Sequence, residues 1–359
     1  ELANLIGNIN AGGGGVNRNL IINGNMVCSQ RGTSFSNVTS SQFCLDRFSV
    51  DVGGGGAFNV TQDTSAPEGF EKSLKLEVNT ADSSIAASDA YRVTQAIEGQ
   101  NTAQVDLCAS TVKGMALSFY VKSSVTGTDG VGLANNAETE NFVAEYTISS
   151  ANTWEKKTIN IPVRTSGTWL TTNGIGIGVR FDLGSGTDYN GTAGQWQTTS
   201  AKVYRTSSCV NLIATGSATW FLTGVQLEVG QNPTDFEHEP FERTLTKCQR
   251  YCQVMGKDEA FSFIGGYGTA ISSTRVQLPV DMRGEMRDTP SMTSNDLQVA
   301  DGANSAIDCT SVALSSGVAD KRTYYVDADV SSGLTQYRPY YLRVSNNASA
   351  GHLTMESEI

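Results

Sequence analysis

The chain has 359 residues, a formal net charge of −11 and a charged fraction of only 17%. Its length predicts about two domains. The acidic balance, without any cluster of basic residues longer than two, argues against a nucleic-acid partner, because binding to phosphates needs basic groups. No run of about 18 apolar residues occurs, so the sequence predicts no membrane insertion.

The residue composition predicts an all-β protein. Glycine occurs 37 times, Ser, Thr and Asn are abundant, and charges are few, which is typical of proteins with many strands and turns. The seven cysteines are an odd number, form no C-x-x-C pair and mostly stand among apolar residues. We therefore expect buried free thiols in a protein made in a reducing cytosol.

Residues 1–18 combine a short apolar patch with a run of glycines. The patch, between Leu2 and Ile9, has helical spacing but is too short to form a stable helix alone. The run from Gly12 to Gly15 predicts a flexible hinge. We interpret the segment as an N-terminal attachment segment that packs against sister chains or a mounting protein, with a frayed terminus as the open alternative.

Residues 19–238 predict one antiparallel β-sandwich, most simply a jelly roll. About a dozen segments have the composition or alternation of strands and are separated by turn signals. The alternation is clearest in Met115 to Val121 and Ile175 to Phe181, and a strand from Trp220 to Val229 closes the region. Many strands with local connections and no convincing long helix favour this architecture.

Three charged residues near the start of this domain, Arg31, Asp46 and Arg47, stand among apolar residues. Charges in such places are usually kept because they pair with one another. We interpret Asp46 with Arg31 or Arg47 as a structural ion pair, in preference to a catalytic group.

The best candidates for ligand contact are Trp196 and Tyr189. They share a glycine-rich polar stretch, GSGTDYNGTAGQW, which we interpret as a mobile loop. Aromatic rings on such a loop suit stacking on a sugar ring or contact with a partner, although packing within the fold stays an alternative. Trp154 and Trp169 each follow a threonine beside a predicted strand, so packing in the core or at the sandwich end is favoured for them.

A change of spacing marks the end of the sandwich. Residues 239–255 predict a helical connector, because Leu245, Cys248 and Cys252 recur at three and four residues. Residues 256–359 contain no tryptophan and again carry strand patterns between turns. They predict a smaller C-terminal β-sandwich of about seven strands.

The sequence predicts no enzyme active site and no cofactor. Its two histidines stand in different parts of the chain, and no G-x-S-x-G, H-E-x-x-H or phosphate-binding context occurs. Carboxylate pairs that a glycosidase would need, such as Asp182 with Asp188 or Glu138 with Glu140, are common in an acidic protein and carry little information. Loop oxygens make a Ca²⁺ ion plausible in a jelly roll, but no ligand pattern picks out a metal site.

Three ordered stretches carry more specific motifs. The first contains N-L-I-I-N-G, Q-R-G-T-S and D-R-F, the second G-V-Q-L-E-V-G and C-Q-R-Y, and the third begins Q-L-P-V-D-M-R; they are Asn19–Phe48, Gly224–Tyr251 and Gln277–Met292. Together they resemble the bacteriophage tail-fibre and virion-surface protein family. The second stretch departs from that family at Pro233, where Ala is usual, and Cys252 stands where an aromatic residue is usual.

The resemblance implies a non-enzymatic virion protein, made in the host bacterial cytoplasm and carried by the particle as a tail fibre or similar surface appendage. It implies a jelly roll like that of carbohydrate-binding modules, a parallel homotrimer, attachment to other virion proteins through residues 1–18, and binding of a bacterial surface glycan or protein receptor. A capsid-decoration, baseplate or tail component without receptor binding is the alternative. A glycan depolymerase is the second, less favoured alternative.

Overall fold

The computed structural model describes residues 18–109, 113–257, 259–303, 305–319, 321–346 and 351–359. The N-terminal attachment segment expected over residues 1–18 therefore lies, except for Arg18, outside the described residues. The chain divides into two compact units, of which the first ends at Thr244 and also includes Ile359, and the second is Leu245–Glu358.

The first unit contains thirteen of the described strands. They are β1 (Ser34–Val38), β2 (Gln42–Phe43), β3 (Ser49–Val52), β4 (Ala57–Asp63), β5 (Ser73–Thr80), β6 (Tyr91–Glu98), β7 (Met115–Ser123), β8 (Gly127–Ala134), β9 (Glu140–Ile148), β10 (Glu155–Ile161), β11 (Ile175–Asp182), β12 (Trp196–Thr198) and β13 (Thr219–Val229). A one-turn helix, α1 (Gly99–Thr102), and three 3₁₀ turns interrupt them, at Ala103–Val105, Thr187–Tyr189 and Leu212–Ala214.

These strands form two antiparallel sheets. A six-stranded sheet has the order β1-β4-β5-β13-β7-β10, and a seven-stranded sheet has the order β12-β9-β8-β11-β6-β3-β2. Within the seven-stranded sheet β8 pairs with both β9 and β11, and the described pairings between its strands are antiparallel. The predicted antiparallel jelly-roll sandwich is thus confirmed for this unit.

One hydrophobic core fills the space between the two sheets. Alternate side chains of each strand point into it, as the two-residue period of a strand requires. The ring of Phe119 on β7 packs edge-on against Phe181 at 5.0 Å and against Tyr146 at 5.1 Å between centroids. The strand expected from Trp220 to Val229 is present as β13, which lies at the centre of the six-stranded sheet.

An irregular segment, residues 199–211, crosses the face of the seven-stranded sheet that points away from the core, and we call it the strap. Gly132 of β8 lies beneath it, since a Cβ atom on Gly132 would stand 2.6 Å from the Cα of Tyr204. The N–H of Val210 donates to the carbonyl of Thr128 at 2.8 Å. A glycine at this position therefore allows the strap backbone to lie directly on the sheet.

The helix α2 (Phe241–Gln249) follows the sandwich. It covers only part of the predicted connector 239–255, because Cys252 and Met255 belong to a strand. Both residues are buried in that strand. Their spacing from Cys248 matches that of a helix face only by chance. Among the described residues no helix is long and apolar enough to span a membrane.

The second unit is also built of strands. They are β14 (Cys252–Met255), β15 (Phe263–Ala270), β16 (Arg275–Asp281), β17 (Ser291–Asn295), β18 (Leu297–Ala300), β19 (Ala306–Ala319), β20 (Thr323–Val330), β21 (Pro339–Val344) and β22 (His352–Glu356). Six of them close into a barrel in the order β15-β16-β20-β19-β18-β21, and β14-β22-β17 form a separate three-stranded sheet.

The closed barrel corrects the expectation of a second two-sheet sandwich. The long strand β19 pairs with both β18 and β20, and β15 pairs with both β16 and β21. Every barrel strand thus has a partner on each side, which leaves none of the six as an edge. The prediction of a second, smaller β unit is confirmed.

Candidate functional site

Trp196 is the first residue of β12, an edge strand of the seven-stranded sheet, where it pairs with Phe142 of β9. The indole N–H donates to the carbonyl of Pro162 at 2.8 Å. The indole ring lies 5.5 Å from the ring of Phe142. Trp196 is therefore held on a strand, half-buried, and does not lie on the mobile loop that we expected.

Trp169 completes an aromatic pair with Trp196. The two indole rings meet edge to face at 85°, with centroids 5.5 Å apart. The indole N–H of Trp169 donates to the carbonyl of Ser166 at 3.1 Å, and both indoles remain half-buried. Packing in the core or at the sandwich end was the favoured interpretation for Trp169, and its contact with the candidate residue Trp196 was missed.

A polar network lies beside the two indoles. Glu140, the first residue of β9, accepts a hydrogen bond from Arg164 and another from the hydroxyl of Thr198 at 3.2 Å. The guanidinium of Arg164 also donates to Thr198 at 2.7 Å. Gly167 has a φ of +96°, and a Cβ on it would meet Glu140 at 2.4 Å, so this loop turn requires glycine.

We call Trp169, Trp196, Arg164, Glu140 and Thr198 together the tryptophan patch. Its aromatic rings offer apolar surface, and its guanidinium, carboxylate and hydroxyl groups offer donors and acceptors close by. Sites for polar ligands combine these two features, because aromatic contact supplies binding energy while a few polar groups set orientation. A sugar, with one apolar ring face and a rim of hydroxyls, matches this combination.

Tyr189, the second candidate, belongs to a different aromatic pair. Its ring lies 4.9 Å from that of Tyr204 at an angle of 31°, and its hydroxyl donates to the carbonyl of Ser88 at 2.9 Å. Tyr204 belongs to the strap and is fully buried, with the guanidinium of Arg92 5.1 Å from its ring centroid. Tyr189 thus packs against the strap and is not joined to the tryptophan patch by any described ring contact.

The three charged residues near the start of the chain have structural environments. Asp46 is fully buried and lies 3.4 Å from the guanidinium of Arg31. It also accepts a hydrogen bond from the side-chain amide of Gln30 at 2.7 Å. Arg47 is buried and donates to the carbonyl of Ala96. These contacts hold the chain start within the sandwich.

The carboxylates considered for catalysis are mostly engaged with cations. Glu138 pairs with Arg180 and, at 2.8 Å, with Lys202. Glu140 pairs with Arg164 within the tryptophan patch. Asp182 is fully buried, with its carboxylate 3.6 Å from Arg205 of the strap.

Two buried carboxyl groups have displaced pKa values. Burial raises the pKa of Asp129 to about 8, with Asp182 adding to the rise while Arg205 and Lys157 oppose it. Burial also raises the pKa of Asp182 to about 6, against the attraction of Arg205 and hydrogen bonds from Ser185. Because both groups are enclosed by the sandwich and the strap, we interpret them as groups that affect the stability of the fold rather than as catalytic groups.

Comparison with known proteins found likeness only among solved structures. No protein-family model matches the chain, and no curated protein matches it. The enzymatically active domain of bacteriophage CBA120 tailspike protein 4 is 16% identical over 59% of this chain and 21% of that chain, with a TM-score of 0.31. The matched region is thus about a fifth of that protein's length.

Two carbohydrate-binding modules are also similar. The family 11 module of Clostridium thermocellum, in complex with a mixed-linked tetrasaccharide, is 12% identical over 57% of this chain and 97% of that chain, with a TM-score of 0.29. The module TmCBM61, in complex with β-1,4-galactotriose, is 11% identical over 59% of this chain and 99% of that chain, also with a TM-score of 0.29. At these TM-scores the likenesses carry no inference about ligand or activity.

Proposed function

We propose that the chain is a non-enzymatic bacteriophage virion protein, a tail fibre or similar surface appendage, that attaches to host cells by binding a surface glycan at the tryptophan patch. The observation that carries the proposal is the contact of Trp169 with Trp196 beside the Arg164–Glu140–Thr198 network. The tail-fibre motifs in the sequence support the virion assignment, and synthesis in the host bacterial cytoplasm follows from it.

The charge of the protein narrows the class of glycan. With a net charge of −11, the protein repels polyanions at long range. Binding therefore rests on stacking and hydrogen bonds, which favours neutral polysaccharide over strongly anionic lipopolysaccharide. A single half-buried patch gives weak affinity, and a homotrimer would strengthen it by avidity of roughly 10²–10⁴.

The test is binding of purified full-length chain to host polysaccharide, measured by titration calorimetry. Trp169→Ala removes one of the two indole rings of the patch. We expect the affinity for the polysaccharide to fall by about tenfold or more, which corresponds to a loss of about 1.4 kcal/mol of binding free energy. Trp154→Ala is the matched control, because Trp154 packs on Phe221, 6.0 Å away, and has no contact with the patch in the described structure. Equal affinity in Trp169→Ala and the wild type would contradict the proposal.

Prolonged incubation of the protein with the same polysaccharide tests the non-enzymatic part of the proposal. We expect the polysaccharide to keep its size distribution on gel filtration after prolonged contact with the protein. Release of oligosaccharides would contradict this part and would favour a depolymerase, whatever the binding result.

A further inference from the structure

A polar groove lies in the second unit, between the turn from β17 to β18 and the first half of β19. It has a volume of about 420 Å³ and is lined by residues 294–297, residues 308–312 and Ser345. We call it the barrel groove. Its volume falls within the range of about 300–1,000 Å³ that is usual for sites of small ligands.

The backbone around the barrel groove gives it a defined shape. Asp296 has a φ of +48° at the turn from β17 to β18. The carbonyl of Asp296 accepts a hydrogen bond from the N–H of Ser345 at 2.8 Å, which joins this turn to the end of β21. On the other side, the register of β19 against β20 shifts between Cys309 and Ser311. Such shifts redirect the side chains of a strand.

Several polar side chains of the barrel groove can still bind a ligand. Within the described structure, the hydroxyls of Ser294 and Ser345 have no hydrogen-bond partner. Asp308 accepts one hydrogen bond, from the side-chain amide of Gln298 to Oδ1 at 2.8 Å, which leaves Oδ2 available. The hydroxyl of Thr310 donates to the carbonyl of Asp329 at 3.2 Å, so its oxygen can still accept. The groove thus offers both donors and acceptors to a ligand rich in hydroxyl groups.

An exposed aromatic ring stands next to this polar lining. The N–H of Phe261 donates to the carbonyl of Ser345 at 3.2 Å, and the side chain of Phe261 is 44% exposed. The guanidinium of Arg343 lies 4.9 Å from its ring centroid. Aromatic contact together with a few polar groups is the combination that suits a sugar, which has an apolar ring face and a rim of hydroxyls.

The charges of the barrel groove narrow the class of ligand. Asp296 and Asp308 contribute two carboxylates, and none of the described residues that line the groove is basic. Glu259, close to Phe261 in the sequence, is also exposed. A sugar with carboxylate or phosphate groups would be repelled, whereas a neutral sugar would not.

Two other kinds of ligand suit the barrel groove less well. Among the described residues, no three His, Cys, Asp or Glu side chains bring ligand atoms within 4.8 Å of one another at the groove, so its carboxylates do not form a metal site. The cores of protein interfaces are poor in Asp and Ser, which are the residue types that recur in this lining.

We propose that the barrel groove is a second saccharide-binding site, which binds a neutral sugar unit through its hydroxyl and carboxylate groups and through contact with Phe261. The site belongs to the second unit and binds whether or not the tryptophan patch does. It accounts for polysaccharide binding that remains after Trp169→Ala.

The test is binding of the full chain to a printed array of neutral and acidic oligosaccharides. We expect Trp169→Ala to bind some neutral oligosaccharides and no acidic one. In that background, Ser294→Leu with Asp308→Ala removes one hydroxyl and one carboxylate from the groove, and we expect the affinity to fall by about tenfold or more. The matched control is Ser291→Leu with Asp281→Ala in the same background, which changes the same residue types at exposed positions outside the groove and keeps the binding.

The outcomes separate this proposal from the function proposed for the tryptophan patch. If Trp169→Ala binds no oligosaccharide, binds acidic ones, or loses binding equally in the groove variant and the control, the groove is not the site. If Trp169→Ala binds as tightly as the wild type and the groove variant does not, the tryptophan patch is contradicted and the groove is supported.

A second measurement covers the case in which the groove variant does not fold. Amide hydrogen exchange of Trp169→Ala is compared with and without the neutral oligosaccharide that it binds best, so no residue of the groove is changed. Slower exchange is expected at residues 294–297 and 308–312 in the presence of the oligosaccharide. Protection confined to the first unit would overturn the proposal.

Discussion

Asp129 shows at the scale of one residue how burial sets a pH response. It is 5% exposed and lies opposite Tyr146 of β9 in the strand register, and the negative charge of Asp182 on β11 adds to the rise of its pKa. Lys157 of β10 and Arg205 of the strap oppose that charge. Raising the pKa to about 8 keeps the carboxyl protonated at neutral pH.

We predict that the stability of the first unit falls as pH rises toward 9. Below the unfolded pKa of about 4 both states hold the proton of Asp129, and between about pH 4 and 8 only the folded state does. The stabilisation is therefore fully present at low pH and is lost as pH rises through 8. At about 1.4 kcal/mol for each unit of pKa shift, the change reaches a few kcal/mol.

Thermal unfolding from pH 4 to pH 9 measures this change. Asp129→Asn cannot ionise and is expected to give a flatter pH profile than the wild type. Asp308→Asn, at an exposed position on the barrel, is the control for loss of one charge. Parallel profiles for the wild type and Asp129→Asn would show that this carboxyl does not set the response.

Single residues also show which parts of the candidate site were visible in the sequence. The pairing of Arg31 with Asp46 was expected because two charges stood in apolar surroundings. Trp196 was singled out by the composition of the stretch around it, but its contact with Trp169 forms where the loop before β11 meets the edge strand β12. A contact between a loop and a strand from another part of the chain is set by tertiary structure, so local pattern could not reveal this pair.

At the scale of elements, the strands with strong alternation were predicted well and the strap was not predicted. The stretches Met115 to Val121 and Ile175 to Phe181 correspond to β7 and β11 almost residue for residue. The strap has no periodic pattern of apolar residues. In the sequence, Gly132, which lies beneath the strap, cannot be distinguished from a glycine in a turn. Its position follows from a close backbone approach that only the folded sheet creates.

We predict that Gly132→Ala weakens the first unit by about 1–3 kcal/mol, the usual cost of forcing extra volume into a packed site. The added methyl group would stand 2.5 Å from the Cβ of Tyr204, so the strap backbone must move. Gly216→Ala is the matched control, because no atom lies within 4 Å of a Cβ at that position. Chemical denaturation measures both variants.

Amide hydrogen exchange then locates the effect. Faster exchange is expected at residues 199–211 in Gly132→Ala and not in Gly216→Ala. If the two variants are equally stable and exchange alike, the strap does not depend on the missing side chain at position 132.

At the scale of the whole molecule, the all-β class and the presence of two β units followed from composition and turn spacing. The closed barrel did not, since strands that close a barrel and strands that end at an edge have similar two-residue patterns. For function, too, the sequence indicates one part and the folded structure the other. Sequence motifs suggest a virion protein, whereas the surface that would bind a glycan is assembled from β9, β12 and the loop before β11.

The most direct measurement of the central claim is the effect of host-polysaccharide fragments on the indole N–H resonances of the four tryptophans, recorded by ¹⁵N NMR during titration. Substitution of each tryptophan by phenylalanine assigns the four signals. We predict that the signals of Trp169 and Trp196 shift with saturation, while those of Trp154 and the fully buried Trp220 stay in place. Saturable binding that leaves Trp169 and Trp196 unmoved would contradict the account.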